Sequence, residues 1–112
     1  GWRYLAKRLQ QFIDEGKQVH IVFGMVNDKD ITHVVALLPK NARYYFTQAS
    51  VNRALPAEKL MHVATNFNLK GATFASVTAA HQAAINNASP EDVIFIGGST
   101  FVVADLLTSK IS

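Results

Sequence analysis

Cysteine is missing from this sequence, which excludes disulfide bonds, thiolate metal ligands and cysteine nucleophiles. Charged residues are scarce as well, at 17% of the 112 residues, against about 25% in a typical globular protein. The net charge is +3, and Lys7-Arg8 is the single pair of adjacent basic residues. Because the basic residues are scattered, the sequence offers no positively charged stripe for a nucleic-acid backbone.

Long uninterrupted hydrophobic runs are also lacking. The most apolar stretch, residues 93–107, is broken by Gly97-Gly98-Ser99-Thr100 and contains Asp105, so it is not predicted to span a membrane. What the chain has in quantity is apolar residues, at 49%, in a length that suits one domain with a hydrophobic core. This composition excludes a disordered chain.

Helix-like and strand-like patterns alternate along the chain. Short β-rich segments are predicted at residues 19–23, 43–47, 72–75 and 93–96. Helical segments are predicted at residues 2–16, 31–38, 57–67, 76–87 and 100–107. The resulting order, α-β-α-β-α-β-α-β-α, predicts an α/β fold: a three-layer Rossmann-like domain with a mostly parallel sheet. Because the chain enters a helix directly after Gly1 and has no initiator Met, we expect a fragment of a longer protein whose first strand is truncated.

Four boundary residues have strong positional preferences. Gly16 should end the first helix in the left-handed conformation, and Ser76 should cap the fourth helix. Pro56 fits the first helical position, N1, of the third helix. Gly71 is expected just before the third strand.

Ligands of open parallel sheets bind beyond the carboxyl ends of the strands. That rule selects four loops, at residues 24–30, 48–55, around Ser76, and 97–100. In the last of these, Gly97 and Gly98 permit a tight turn, while the following helix start offers free N–H groups to an anion and Ser99 adds a hydroxyl. The alternative is a plain turn in which Ser99 or Thr100 caps the helix.

Charged residues in two of the other loops are further candidates. Lys29 can bind a carboxylate or phosphate and Asp28 can accept from an ammonium group; alternatively, Asp30 caps the next helix and Lys29 is solvated. Arg53 can hold a carboxylate through two hydrogen bonds, or it is a solvated loop arginine. Together the loops suggest two cations and a helix terminus that face a small anionic ligand.

Other side chains are predicted to be structural. The four histidines, His20, His33, His62 and His81, lack metal-ligand spacing, so no metal site is predicted. No nucleophile elbow is present. Two apolar segments, residues 44–46 and 101–103, are interpreted as core.

Three segments carry a family resemblance. Residues 22–31, with Asp28-Lys29-Asp30, are similar to the "GM-x-x-DKDI" segment of the folylpolyglutamate synthase/dihydrofolate synthase family. Residues 47–55 resemble its "T-x-…-PRA-L" loop, and residues 91–99 resemble its "D-x-V-L-V-x-GS" strand and turn. The matches follow the family's order over nearly the whole chain. The resemblance implies that residues 1–112 form the C-terminal, glutamate-ligase domain shared with Mur ligases, with a Rossmann-like fold.

The resemblance also implies an activity for the parent enzyme, which would be cytoplasmic. ATP and Mg²⁺ would convert a folate or dihydropteroate carboxylate into an acyl phosphate, which the amine of glutamate would attack to form an amide. The implied partner is the N-terminal ATPase domain of the same parent chain, with no nucleic acid or membrane. Lys29, Arg53 and Ser99 would bind glutamate; the supporting residues would be Asp28, Asp30, Gly97, Gly98 and Thr100. No catalytic or metal-binding residue is expected in the fragment.

The chain departs from the family pattern in two respects. Asn52 stands where the family usually has Pro. The family's D-x-x-H-N segment, whose Asp contacts ATP, and its P-loop domain would lie upstream of Gly1. We therefore expect the fragment alone neither to hydrolyse ATP nor to form amides. The alternatives are a non-catalytic nucleotide- or anion-binding regulatory module of Rossmann-like fold, and a plain interaction domain.

Overall fold

Helices and strands alternate from residue 2 to residue 97 in a computed structural model that describes residues 2–27, 31–50, 52 and 54–98. The elements are α1 (Trp2–Asp14), β1 (Val19–Phe23), α2 (Ile31–Leu37), β2 (Arg43–Phe46), α3 (Ala57–Thr65), β3 (Lys70–Thr73), α4 (Val77–Asn87) and β4 (Val93–Gly97). This order confirms the predicted α/β alternation. The helix predicted at residues 100–107 lies outside the described residues.

The four described strands form one parallel sheet in the order β3-β2-β1-β4. The chain steps from β1 to β2 to β3 in one direction and then returns across the sheet to β4 on the other side of β1. Crossovers of one hand place their helices on opposite faces when the direction reverses. Accordingly, α2 and α3 cover one face and α4 covers the other, which confirms the three-layer, Rossmann-like prediction.

Strand β1 lies at the centre of the core and is buried along its whole length. Ile21 and Phe23 pack under α1, α2 and α3, while Val22 faces α4 together with Tyr45. A strand buried on both faces needs the near-continuous apolar run that Val19–Phe23 supplies, interrupted by one histidine. Each large side chain buried here contributes about 1.5–3 kcal/mol. Residues 44–46 are buried too, as the sequence predicted.

Helix ends follow the predicted residues in two cases. Gly16 has φ of 88°, and the N–H groups of Gly16 and Lys17 donate to the carbonyls of Ile13 and Phe12, the paired bonds of a Schellman motif. The hydroxyl of Ser76 accepts from the N–H of Ala79 at 3.1 Å and caps α4. Both sequence predictions are confirmed.

Two positional predictions were wrong by one or two residues. Pro56 is the N-cap of α3, not N1, and the side chain of Gln48 accepts the N–H of Ala57 at 3.0 Å. Gly71 lies within β3, opposite Tyr44. A Cβ at this position would collide with the Tyr44 carbonyl, so the strand requires a glycine here. The sequence suggested a break at Gly71 because glycine usually weakens strands, whereas here close backbone approach requires it.

None of the helices in the described ranges combines the length and apolarity that crossing a membrane requires.

Candidate functional site

The carboxyl ends of β1 and β4 lie side by side at the point where the strand order reverses. Phe23 pairs with Gly97, and the N–H of Gly24 donates to the Gly97 carbonyl at 3.2 Å. Open α/β sheets bind ligands in the crevice at such a topological switch point. The loops that begin at Gly24 and Gly98 therefore border the crevice in which the sequence predicted a ligand.

Gly98 is fixed by its contact with the neighbouring loop. Its φ is 112°, a conformation that favours glycine, and a Cβ there would collide with the carbonyl oxygen of Gly24. Gly97 is buried and lies against the Phe95 ring. Gly98 thus lets two loop backbones touch, in addition to the tight turn that the sequence predicted for the glycine pair.

The loops after β1 and β2 are also joined through their backbones. Val26 and Ala54 form an antiparallel bridge, and the N–H of Leu55 donates to the Met25 carbonyl at 2.9 Å. Met25 and Leu55 are buried in the main core. This bridge brings the sequence neighbours of residues 28–30 and of residue 53 to one edge of the sheet.

A small apolar cluster joins the loops at this edge to α4, on the other face of the sheet. Ala49, from the loop after β2, packs with Val77 at the start of α4, and Ala54 and Ile96 pack against both. Thr47 is buried, and its hydroxyl donates to the carbonyl of Phe74 at 3.2 Å. Loops from three strands are therefore held at the carboxyl edge by backbone hydrogen bonds and small side chains.

Most of the residues predicted to bind the ligand lie outside the described residues: Asp28, Lys29, Asp30, Arg53, Ser99 and Thr100. Their roles stay predictions. Gly97 and Gly98 are described, and both lie at the crevice. Ser76, in the fourth selected loop, uses its hydroxyl to cap α4.

A cavity of about 500 Å³ opens between α2 and α3 next to these loops. Its walls are mainly apolar, with Ile31, Leu55 and Val63, and the side chains of Glu58, Lys59 and His62 also line it. Ile31 directly follows residues 28–30, and Leu55 follows the loop that contains residue 53. The sequence analysis missed this cavity, because helix periodicity predicts which residues face the core but not where two helices leave a gap.

A buried polar network at the opposite, amino edge of the sheet was also missed. His20 bonds through Nδ1 to the hydroxyl of Tyr45 at 2.8 Å and through Nε2 to Asp92 at 2.9 Å. Asn87 donates to the same hydroxyl at 3.4 Å. All these groups are satisfied when His20 is neutral with its proton on Nε2, so that Tyr45 donates to Nδ1. The signal in the sequence was a histidine within a buried strand, which requires hydrogen-bond partners.

Hydrogen bonds shift the titration of Asp92. The N–H of Ser89 donates to Oδ2 at 2.9 Å, and this bond, followed by the one from His20, lowers the pKa of the Asp92 carboxyl. Elsewhere, burial raises the pKa of the Tyr44 phenol, whose hydroxyl donates to the Pro39 carbonyl. Within residues 2–27, 31–50, 52 and 54–98, no group of three or more His, Asp or Glu side chains could hold a metal ion.

The fold and its edge define a class of protein: a doubly wound parallel α/β domain whose loops converge on a crevice between β1 and β4. Within that class, the family model for the glutamate ligase domain of Mur ligases matches residues 1–100. The chain therefore belongs to the Mur ligase glutamate ligase domain family, as its sequence motifs indicated.

Individual relatives agree with this assignment. The dihydrofolate synthase/folylpolyglutamate synthase of Buchnera aphidicola subsp. Schizaphis graminum is 28% identical over 109 residues, which cover 96% of this chain and 25% of that protein. Escherichia coli FolC in complex with ADP is 29% identical, with a TM-score of 0.84 over 98% of this chain and 26% of that one. A bifunctional folylpolyglutamate synthase/dihydrofolate synthase with Mn, AMPPNP and L-glutamate bound is 28% identical, with a TM-score of 0.82 over 99% of this chain and 26% of that one. The chain thus spans about a quarter of the length of these relatives.

Proposed function

We propose that this chain positions glutamate in an ATP-dependent ligase that joins glutamate to the carboxylate of a folate or dihydropteroate. Membership of the glutamate ligase domain family supports the proposal, as does a similar enzyme solved with L-glutamate bound. The observation that carries it is the bridge between Val26 and Ala54, which joins the loop that leads to Lys29 with the loop that contains Arg53.

The chemistry of glutamate suits the predicted side chains. Glutamate brings two carboxylates and an amine that must reach the activated carbonyl. In the proposal, Lys29 offers a point charge to one carboxylate, and Arg53 offers two parallel N–H donors to the other. Ser99 adds a hydroxyl donor, and Asp28 and Asp30 support the loop beside Lys29. The other residues that the proposal assigns a supporting role are Gly97, Gly98 and Thr100. Exclusion of water on domain closure would strengthen all these interactions.

In this proposal, the N-terminal ATPase domain of the parent enzyme binds most of ATP and its divalent cation. The parent enzyme would be cytoplasmic. At the crevice the described residues contribute glycine backbone and apolar side chains, a donor set that does not suit Mg²⁺, which prefers carboxylate oxygens. Similar enzymes have been solved with ADP, or with AMPPNP and Mn. Because the proposal places ATP mainly in that other domain, the chain by itself is expected to form no amide bond.

Steady-state kinetics of the full-length enzyme provide the test. Losing a hydrogen bond to a charged group costs about 1.5–3 kcal/mol, so Lys29→Met and Arg53→Lys should each raise the KM for glutamate roughly ten- to hundredfold. The KM for ATP should not change, because the phosphates are held elsewhere. Lys7→Met, on the exposed side of α1, is the matched control. An unchanged KM for glutamate in both variants would contradict the site.

The regulatory-module alternative predicts instead that this chain alone binds a nucleotide at the turn that begins with Gly97 and Gly98. The contact between Gly98 and the Gly24 carbonyl accounts for a glycine there without any ligand. Calorimetry of the isolated chain with ADP separates the two functions. Tight binding that a change at Ser99 abolishes would favour the alternative.

A further inference from the structure

We propose that the amino edge of the sheet carries a second binding site, a groove centred on Arg43 and Lys70 that takes a small molecule with several carboxylate or phosphate groups. The groove lies at the opposite end of the strands from the glutamate crevice. It is independent of the proposed ligase function, since Arg43 and Lys70 are the first residues of β2 and β3, at the amino ends of the strands.

Two cations stand side by side in this groove. Arg43 and Lys70 are register partners on the parallel strands β2 and β3, whose backbones lie about 4.8 Å apart. Both side chains are exposed, and both point to the face covered by α4, because Tyr45, two residues after Arg43, packs against α4 residues. Their positive groups therefore extend from adjacent positions on the same exposed face of the sheet.

The protein supplies no anion for these two cations among its described residues. Neither Arg43 nor Lys70 forms an ion pair there, whereas His20 and Asp92 are within 2.9 Å of each other. Asp92 is the sole carboxylate lining this groove or its neighbouring depressions within the described ranges. Its Oδ2 already accepts from His20 and from the N–H of Ser89. The two cations are therefore left for an external partner.

The surrounding surface has room for one. The groove measures about 330 Å³, within the range of small-molecule sites, and the side chains of Tyr45, Phe74 and Asn87 line it. It is open because α4 packs over β1 and β2 and leaves the edge strand β3 uncovered, with Gly71 and Ala72 exposed. A depression of about 540 Å³ adjoins it and adds a third cation and three amides: Lys40, Gln18, Asn41 and Asn68.

The donors define the chemical class of the ligand. Guanidinium, ammonium and amide N–H groups are the usual hydrogen-bond partners of carboxylate and phosphate oxygens. Three cations around so large a space fit a multivalent anion better than a single chloride. A polyphosphate and a short oligoglutamate share this chemistry.

Binding experiments on this chain distinguish the two sources. Sodium tripolyphosphate and tri-γ-glutamate are titrated separately by calorimetry at constant ionic strength. We expect at least one of them to bind, and Arg43→Gln/Lys70→Gln to weaken it at least about tenfold, since charge-assisted hydrogen bonds are lost. Arg43→Lys should retain much of the affinity. Lys7→Gln removes one charge on the opposite face of the sheet and should bind the anion as tightly as the unsubstituted chain does.

Unfolding measurements give a second readout. Without added anion, Arg43→Gln/Lys70→Gln should melt close to the temperature of the unsubstituted chain, because both side chains are exposed. With anion, the unsubstituted chain should gain stability and the double variant should not. Equal gains in both proteins, or no binding of either anion, would overturn the proposal. Arg53→Lys should leave the groove intact, so failure here and failure of the glutamate site are separate results.

Discussion

The two ends of the same parallel sheet are held together by different means. At the carboxyl edge, Gly24, Val26 and Gly98 join the loops through backbone contacts, and the side chains that pack there are small. At the amino edge, side chains make the connection, with His20 bonded to both Tyr45 and Asp92. Substitutions at the carboxyl edge should therefore act mainly through backbone strain and steric clash, whereas those at the amino edge should act through lost side-chain hydrogen bonds.

The largest effect is expected from Gly98→Ala, which attacks the backbone contact at the carboxyl edge. The new Cβ would meet the Gly24 carbonyl at a positive φ, so strain and a steric clash combine to cost about 3 kcal/mol or more. Chemical denaturation of the purified variant measures the loss.

Gly16→Ala is the matched control for this change. Gly16 also has a positive φ, but a Cβ there meets nothing within 4 Å, so its cost should be only about 1 kcal/mol. Equal losses in the two variants would show that the contact between Gly98 and Gly24 contributes nothing beyond the backbone conformation.

A smaller effect is expected at the amino edge from His20→Ala. The change opens a cavity and leaves the hydroxyl of Tyr45 with one partner fewer, which should cost about 2–3 kcal/mol. Tyr45→Phe removes the hydroxyl alone and should cost about 1 kcal/mol. If Tyr45→Phe proved as damaging as His20→Ala, the imidazole and its bond to Asp92 would add nothing to stability beyond the Tyr45 hydroxyl.

The smallest effect at neutral pH is expected from Asp92→Asn, because this side chain is partly open to water. The folded-state pKa of Asp92 is lowered, so its contribution to stability is present above the unfolded pKa, near 3.9, and disappears as pH falls through the lower folded value. The fall of the unfolding free energy at acid pH should therefore be shallower in Asp92→Asn than in the unsubstituted chain. An equally steep fall in both proteins would contradict this assignment.

Sequence alone predicted most of the fold because its signals are local. Alternating apolar runs located the strands, Gly16 and Ser76 marked helix ends, and the α/β order predicted a parallel sheet. The strand β3 begins two residues earlier than predicted, because Gly71 was interpreted as a break. Its lack of a side chain instead allows close contact with Tyr44 on the neighbouring strand. No local pattern contains that information.

The candidate site was less accessible to sequence reasoning. The sequence placed Gly97 and Gly98 at the carboxyl edge of the sheet, and both lie at the crevice between β1 and β4. The cavity between α2 and α3 and the network around His20 depend on pairs of residues far apart in the sequence. Asp92 and His20 meet only because β4 pairs with β1.

That pairing also has a consequence for how the domain assembles. Val19 and Val93 are neighbours in the sheet although they come from opposite ends of the described chain. Contacts between such distant segments form late, because a long loop must close before they add stability. During synthesis, β1, β2 and β3 can associate before β4 emerges, and β1 then exposes an unpaired edge. The crevice between β1 and β4 comes into existence only when the last described strand covers that edge.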